Sequence, residues 1–265
     1  HTRYISVTGV QTCALPIYSR AAESTHWYTR QGEPMYTVMG KTTGAPRNTT
    51  LKDARELNLV PSVTTILNVA AKPGLNVWLQ EQAILAALTL PRGEDELESA
   101  WLKRVVHDSK EQGRIAADIG TEIHEAVQSH YEGRTGSKYP FHVQTCVKAI
   151  ETHYGARNWV CERAFAHELG FGGKVDMHAD GIVIDIKTKD FTDPTKPLWY
   201  DEHLIQLAAY RVGLGMPEAR CANVFISRND AELAVVKEWA EDDLKRGWEM
   251  FCSLLRFWQI KNQHE

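Results

Sequence analysis

Residues 172–189 read GGKVDMHADGIVIDIKTK, and the fold turns on them. Two alternating runs flank Asp180-Gly181, a dipeptide that favours a tight turn between antiparallel strands. Alternate residues of a strand face the same way. Asp185 and Lys187 therefore share one face, and Ile184 and Ile186 share the other, where they pack into a core. A carboxylate and an ammonium flanked by isoleucines cost desolvation unless something uses the charges. Asp176 lies on the preceding strand, and a hairpin at 180–181 sets it roughly opposite Asp185. Two carboxylates and a lysine then converge. Facing carboxylates repel, and a bound hard cation relieves that repulsion. Mg²⁺ takes few protein oxygens and keeps waters, which suits phosphate chemistry. Taken alone, D-x-K is short and common, and it also describes ordinary surface pairs.

Working outward, residues 158–168 read as a strand before this hairpin, with Gly172-Gly173 in the first turn and Asp180-Gly181 in the second. A loop holding Pro194 and Pro197 follows, then a helix over 199–213, strands near 221–227 and 232–238, and a last helix over 240–262. That helix carries Leu244, Trp248, Phe251, Leu255 and Trp258 at alternating four- and three-residue steps, a core stripe. Upstream, residues 26–43 read as a short hairpin with Gly32 in its turn. Ser62 caps a short helix, Pro73-Gly74 breaks it, and a second helix runs to about Leu88. Residues 94–131 read as two helices, with Ile115, Ile119, Ile123 and Val127 on one apolar face. Gly133 and Gly136 end that run, and 140–154 is another helix. The plan is α/β or α+β: a central mixed β-sheet flanked by helices, with an N-terminal helical region.

Two helical pairs sit where they can reach the strands. Gly120 and His124 in GTEIHE are one turn apart. Glycine inside a helix costs about 1 kcal/mol against alanine, and close approach of another element compensates for it. Gln206 and Tyr210 in HLIQLAAYRVGL are also one turn apart. Alone, His124 reads more often as a satisfied polar histidine, and Gln206 with Tyr210 reads equally as ordinary helix–sheet packing with a hydrogen-bonding rim.

The chain has 265 residues, with 43% hydrophobic and 24% charged residues, ordinary values for a globular protein. The formal net charge is −4. A binder of bare nucleic acid is usually basic, so the charge argues mildly against one, unless carboxylates are committed to a metal. No apolar run approaches the length of a membrane span. The cysteines are Cys13, Cys146, Cys161, Cys221 and Cys252. They form no CxxC pair, so neither zinc nor an iron–sulfur cluster is signalled, and buried free thiols in a reducing cytoplasm are expected.

Residues 1–17 make better sense as DNA than as protein. VTGVQTCALPI, residues 7–17, is spelled by the codons of a common short-read sequencing adapter, and His1-Thr2-Arg3 matches its flow-cell end. This segment is expected to be translated adapter fused to a metagenomic reading frame, and is set aside for fold reasoning. Without Arg3 the net charge is about −5. Residues 18–265 are then a single domain, with a hairpin and helical part over 18–135 and a catalytic core over 136–265.

The ordered set GxxxH, GGKVD, IDIKTK and QxxxY resembles the RecB-like branch of the PD-(D/E)XK nuclease superfamily. VPSVTTIL, followed by KPGLNVW, is similar to phage-encoded exonucleases and to exonucleases of the mitochondrial genome maintenance type. The resemblance spans roughly residues 26–262. Each motif alone is weak, and the four in order are specific. Val175 departs from the proline of the superfamily's name, and the cysteines that hold an iron–sulfur cluster in some relatives are absent.

The resemblance implies a restriction-endonuclease-like core and a Mg²⁺- or Mn²⁺-dependent deoxyribonuclease without an iron–sulfur cluster. Asp176, Asp185, His124 and the backbone carbonyl of Ile186 would hold the metal. Lys187 would orient or activate the attacking water. Gln206 and Tyr210 would steady the lysine region and the DNA backbone. Glu162 is a candidate further acidic ligand or supporting group, and Lys174, Thr188, Lys189 and Trp199 are candidate DNA contacts. Trp199 and Tyr200 either stack on bases or anchor their helix. The expected substrate is single-stranded DNA or DNA with free ends. The setting would be phage replication or recombination in a bacterial cytoplasm, alongside a recombination or single-strand-binding protein. A flap or junction endonuclease shares these motifs. A catalytically inactive DNA-end binding module would normally have lost the lysine or an aspartate.

Overall fold

The computed structural model describes residues 26–42, 44–134, 136–196 and 198–265; the adapter reading of residues 1–17 lies outside them. The chain opens with short strands β1 (Trp27–Tyr28), β2 (Thr37–Met39) and β3 (Pro46–Asn48), helix α1 (Leu51–Leu57) and strand β4 (Val60–Pro61). Helices α2 (Val63–Leu67), α3 (Pro73–Thr89), α4 (Glu98–Tyr131) and α5 (Pro140–Tyr154) follow. Then come β5 (Val160–His167), β6 (Phe171–Ala179), β7 (Ile182–Lys189), α6 (Asp201–Gly213), β8 (Arg220–Ser227), β9 (Ala234–Glu238) and α7 (Glu241–Asn262).

The centre is a five-stranded mixed sheet in the order β5-β6-β7-β8-β9. The β5–β6, β6–β7 and β8–β9 pairs are antiparallel, and β7–β8 is parallel. A parallel pair needs a long crossover, and α6 supplies it. Ile184 and Ile186 of β7, with Ala222, Val224 and Ile226 of β8, pack against Ile123 and Val127 of α4 and Val143, Cys146 and Ile150 of α5. The opposite face, through Val175, Val183 and Cys221, packs on Leu204, Leu207 and Ala208 of α6 and Phe251 of α7. Trp27, Leu59, Val63 and Ile66 join that second cluster, so the N-terminal part shares its core with the sheet. Each large apolar side chain buried this way contributes about 1.5–3 kcal/mol.

Local signals explain most boundaries. Ser62 caps α2 by accepting from the Thr65 N–H, and proline opens α3 and α5, where its missing N–H costs nothing. Gly181 takes φ +70° in the β6–β7 turn, a conformation that glycine adopts without strain. The stripe of α7 is core: Leu244, Phe251, Leu255 and Trp258 are buried, with Trp248 packed against them.

Several readings need correction. The segment 26–43 is not one hairpin. A short antiparallel pairing does close about Gly32, at φ +89°, through the Tyr28–Pro34 bridge, but β1 otherwise pairs with β4 and β2 with β3. Residues 98–131 form one helix rather than part of two; no proline interrupts it, and its glycines face neighbours. A Cβ on Gly113 would lie 3.3 Å from the Trp78 ring. The β5–β6 turn falls at residues 168–170, with Gly170 at φ +87°, and Gly172 and Gly173 lie inside β6. They are there for close approach: a Cβ on Gly172 would come within 2.9 Å of Tyr28, and one on Gly173 within 2.8 Å of Phe165. Helix α1 was not foreseen. Cys146 and Cys221 are buried free thiols, whereas Cys161 and Cys252 are only half-buried.

Candidate active site

The site forms where the ladders of the sheet part. Met177 pairs with Ile184, which sets Asp176 across from Asp185, yet the β6–β7 pairing stops at Met177. Cys161 pairs with Met177 and Arg163 with Val175, so Glu162 stands opposite Asp176 on the other side, also unpaired. Glu162 takes φ +54°, which is costly for a residue with a Cβ. On β6, Val175 belongs to the α6-side cluster and Met177, two residues on, to the α4-side cluster. Residues two apart in a regular strand share a face, so β6 rotates at Asp176. The freed backbone group is recovered locally: Asp176 Oδ2 accepts the Ile186 N–H at 2.7 Å.

One row therefore crosses the sheet: Glu162, Asp176, Asp185 and, by the parallel register, Asn223. Asp185 is 1% exposed. Lys187 Nζ donates to its Oδ1 at 2.9 Å, and Asn223 Nδ2 donates to its Oδ2 at 2.7 Å. Burial raises the Asp185 pKa, with Lys187 opposing and Asp176 adding to the rise. Burial likewise raises Asp176 to about 6, against the pull of Lys187 and of the Ile186 N–H. Burial alone would lower Lys187, but the Asp185 and Asp176 carboxylates outweigh it and raise its pKa. The two carboxylates thus hold the lysine charged, while burial raises their own pKa values.

Helix α4 brings His124 to this row. Gly120 lets it approach, since a Cβ there would lie 2.5 Å from Thr188 Oγ1 on β7. One turn on, His124 Nδ1 stands 3.8 Å from Asp176 Oδ2. Burial, reinforced by the Lys187 charge, lowers His124 to about 4, and the backbone of Ile186 opposes this with a hydrogen bond. At neutral pH the imidazole is neutral, the form that binds metals. From the α6 side, Gln206 Nε2 donates to the Tyr210 hydroxyl at 2.8 Å, and both are buried. Tyr210 packs against Gly173, and burial followed by the Asp185 and Asp176 charges raises its pKa well above the usual value.

Among the described residues, no three His, Cys, Asp or Glu side chains already form a metal-binding group. The donor set nonetheless fits a divalent ion. His124 Nδ1 and Asp176 Oδ2 lie 3.8 Å apart, and with Asp185 they would hold such an ion. The carboxylate and carbonyl oxygens suit Mg²⁺ or Mn²⁺, and the neutral imidazole would add a nitrogen donor.

The structure thus gathers Asp176, Asp185, Ile186, Lys187 and His124, with Gln206 and Tyr210 behind them. The candidate DNA contacts are more dispersed. Glu162 forms an ion pair with Lys174, so each answers the other's charge. Thr188 faces Gly120. Lys189 donates to the Leu198 carbonyl, stands 4.1 Å from the Tyr200 ring, and is lowered to about 8, chiefly by burial. Trp199 packs on the core, with the Lys237 ammonium 5.0 Å from its ring, whereas Tyr200 is exposed. Sequence reasoning missed Asn223. Its signal was an amide inside the apolar run of β8, where a buried polar group needs partners.

No family model matches the chain, and no curated protein matches it. Among solved structures, it is similar to a protein from Eubacterium rectale described as a candidate exonuclease, at 14% identity and a TM-score of 0.39, covering 56% of this chain and 69% of that one. It is also similar to SSO0001, at 16% identity and a TM-score of 0.30, covering 68% of this chain and 85% of that one. At TM-scores this low the likeness says nothing about chemistry, which the side chains must carry.

Proposed function

We propose that this chain is a metal-dependent deoxyribonuclease that hydrolyses phosphodiester bonds, an exonuclease acting on single-stranded DNA or DNA ends in phage replication or recombination. The observation that carries the reading is the row of Asp176 and Asp185 with Lys187 bound to Asp185 and neutral His124 at its edge. Asp176, Asp185, His124 and the Ile186 carbonyl would hold Mg²⁺ or Mn²⁺. Such an ion supplies charge stabilisation at a phosphoryl oxygen and makes a nucleophile available at neutral pH. The chain's own residues supply the rest. Lys187, fixed on Asp185, presents a positive charge at a place set before substrate arrives, and such preorganised charge stabilises a developing oxyanion. Tyr210, bound by Gln206, packs against Gly173 of β6, and the pair would steady the lysine region.

The test uses end-labelled linear and circular single-stranded DNA with Mg²⁺, Mn²⁺ or EDTA, comparing wild type with Lys187→Ala. The expected result is metal-dependent loss of the linear DNA alone, abolished in the variant. Cleavage of circles moves the function to an endonuclease. Binding of ends without cleavage under any metal replaces catalysis with an end-binding role.

A further inference from the structure

Asn223 is fully buried in the middle of β8, with 0% exposure, and it has two partners. Its Nδ2 donates to Asp185 Oδ2 at 2.7 Å, and its Oδ1 accepts from Trp239 Nε1 at 2.8 Å. An indole N–H only donates, so the amide must turn its oxygen toward Trp239. Its NH₂ is then forced to face Asp185. Lys187 Nζ lies 2.9 Å from Asp185 Oδ1 and 2.9 Å from Oδ2, so the carboxylate is gripped from two sides. A carboxylate has about four lone-pair sites, and these three contacts leave one, on Oδ1, for a cation.

We infer that Trp239 and Asn223 are positioning residues for Asp185: the indole sets the amide, and the amide sets the carboxylate that takes the cation. The inference rests on the reading of Asp185 as a metal ligand. It assigns a task to a strand that contributes nothing else to the row, and it explains why a fully buried amide sits in an apolar ladder next to the most buried acid of the site. Partners of ligands that fix their orientation typically alter metal affinity or activity ten- to a hundred-fold when lost.

The test measures Mn²⁺ binding to the full chain by calorimetry and electron spin resonance, with thermal melts of each protein alongside. The proteins are wild type, Trp239→Phe, Asn223→Leu and the double variant. Trp239→Phe keeps an aromatic in the core and removes the hydrogen bond that holds the amide oxygen in place. Asn223→Leu leaves the indole N–H unpaired, and the double variant removes both polar groups, which restores stability lost to an orphaned donor. The expected result is Mn²⁺ binding weakened about ten-fold or more in all three, including the double variant whose melting temperature recovers. The Mg²⁺ concentration for half-maximal cleavage should rise in parallel. Affinity that returns together with stability in the double variant, or that never changes in a folded variant, overturns the inference. Wild type that binds no Mn²⁺ overturns both it and the nuclease reading. Weakened Mn²⁺ binding in the variants of a protein that cleaves no DNA upholds the positioning role and removes only the nuclease reading.

Discussion

The Asp176 carboxylate takes the place of a backbone acceptor: its Oδ2 receives the Ile186 N–H at 2.7 Å, where the β6–β7 ladder has stopped. The same side chain thus closes a gap in the sheet and supplies a negative charge next to Asp185. Its two tasks are separable by chemistry, because an asparagine oxygen can accept the N–H but carries no charge.

Asp176→Asn should therefore keep the fold and lose activity. In metal-free protein it should also be the more stable form at neutral pH. Burial raises Asp176 from 3.8 to about 6, so folding favours the protonated acid. The cost of charging it is absent below the unfolded value and complete above about pH 6. The variant's advantage should grow between pH 4 and pH 7 to on the order of 1 kcal/mol. Denaturant melts in EDTA at both pH values measure it; an equal difference at the two would sink the idea. With Mn²⁺ added, wild type should gain stability and the variant should not.

Gly120→Ala tests the seat of α4. The substitution gains about 1 kcal/mol of helix propensity. Against this, the new Cβ would lie 2.5 Å from Thr188 Oγ1, and a β-branched side chain has few alternative rotamers. The two effects should nearly cancel in stability. Cleavage should still fall, because α4 moves and carries His124 away from Asp176. Adding Thr188→Ala should restore the rate. A Gly120→Ala protein with undiminished cleavage would show that the approach of α4 does not set the site.

The Gln206–Tyr210 pair invites a double-mutant cycle. Tyr210→Phe leaves a buried Gln206 donor without its partner, at a cost of about 1–3 kcal/mol. Gln206→Leu should cost less once the hydroxyl is already gone, so the coupling should be favourable by at least about 0.5 kcal/mol. Additive melts would indicate that the two side chains do not act together.

How much of this was legible depended on whether the deciding interaction was local. Alternation alone placed Asp185 and Lys187 on one face and Ile184 and Ile186 on the other, and the Asp180-Gly181 turn brought Asp176 across, as the register has it. Proline at 140 and the periodicity beyond it marked α5. Glycine was ambiguous: Gly172 and Gly173 look like a turn, yet they serve close packing inside β6, and only their neighbours distinguish the two uses. Helix α1, seven residues long, is too short to show a period, although Thr50 and Asp53 form a capping box at its start. Asn223 meets Asp185 through a parallel register between strands separated by a helix, which no local pattern encodes. The rotation of β6 at Asp176 likewise lies opposite Glu162 at positive φ, a conformation its sequence does not announce.

Away from the site, Glu238 ties three elements together and gives a prediction about acid. Its carboxylate receives Arg220 Nε at 2.8 Å and Arg220 Nη2 at 2.7 Å, and the His153 ring lies 2.8 Å from it. Helix α5 and strands β8 and β9 meet there. Chiefly through the Arg220 hydrogen bonds, Glu238 is lowered from 4.5 to about 2. The folded pKa lies below the unfolded one, so the stabilisation is complete above about pH 4.5 and is lost as the pH falls toward 2. Glu238→Gln should melt below wild type at pH 6, and the gap should shrink between pH 4.5 and pH 2. High salt should narrow it at pH 6, because Arg220 is half exposed and its pairing is screened. Paired urea melts of the two proteins at pH 6, 4 and 3 isolate this one carboxylate from the rest of the acid transition. A gap that stays constant over that range would mean that Glu238 holds these elements by packing and not by charge.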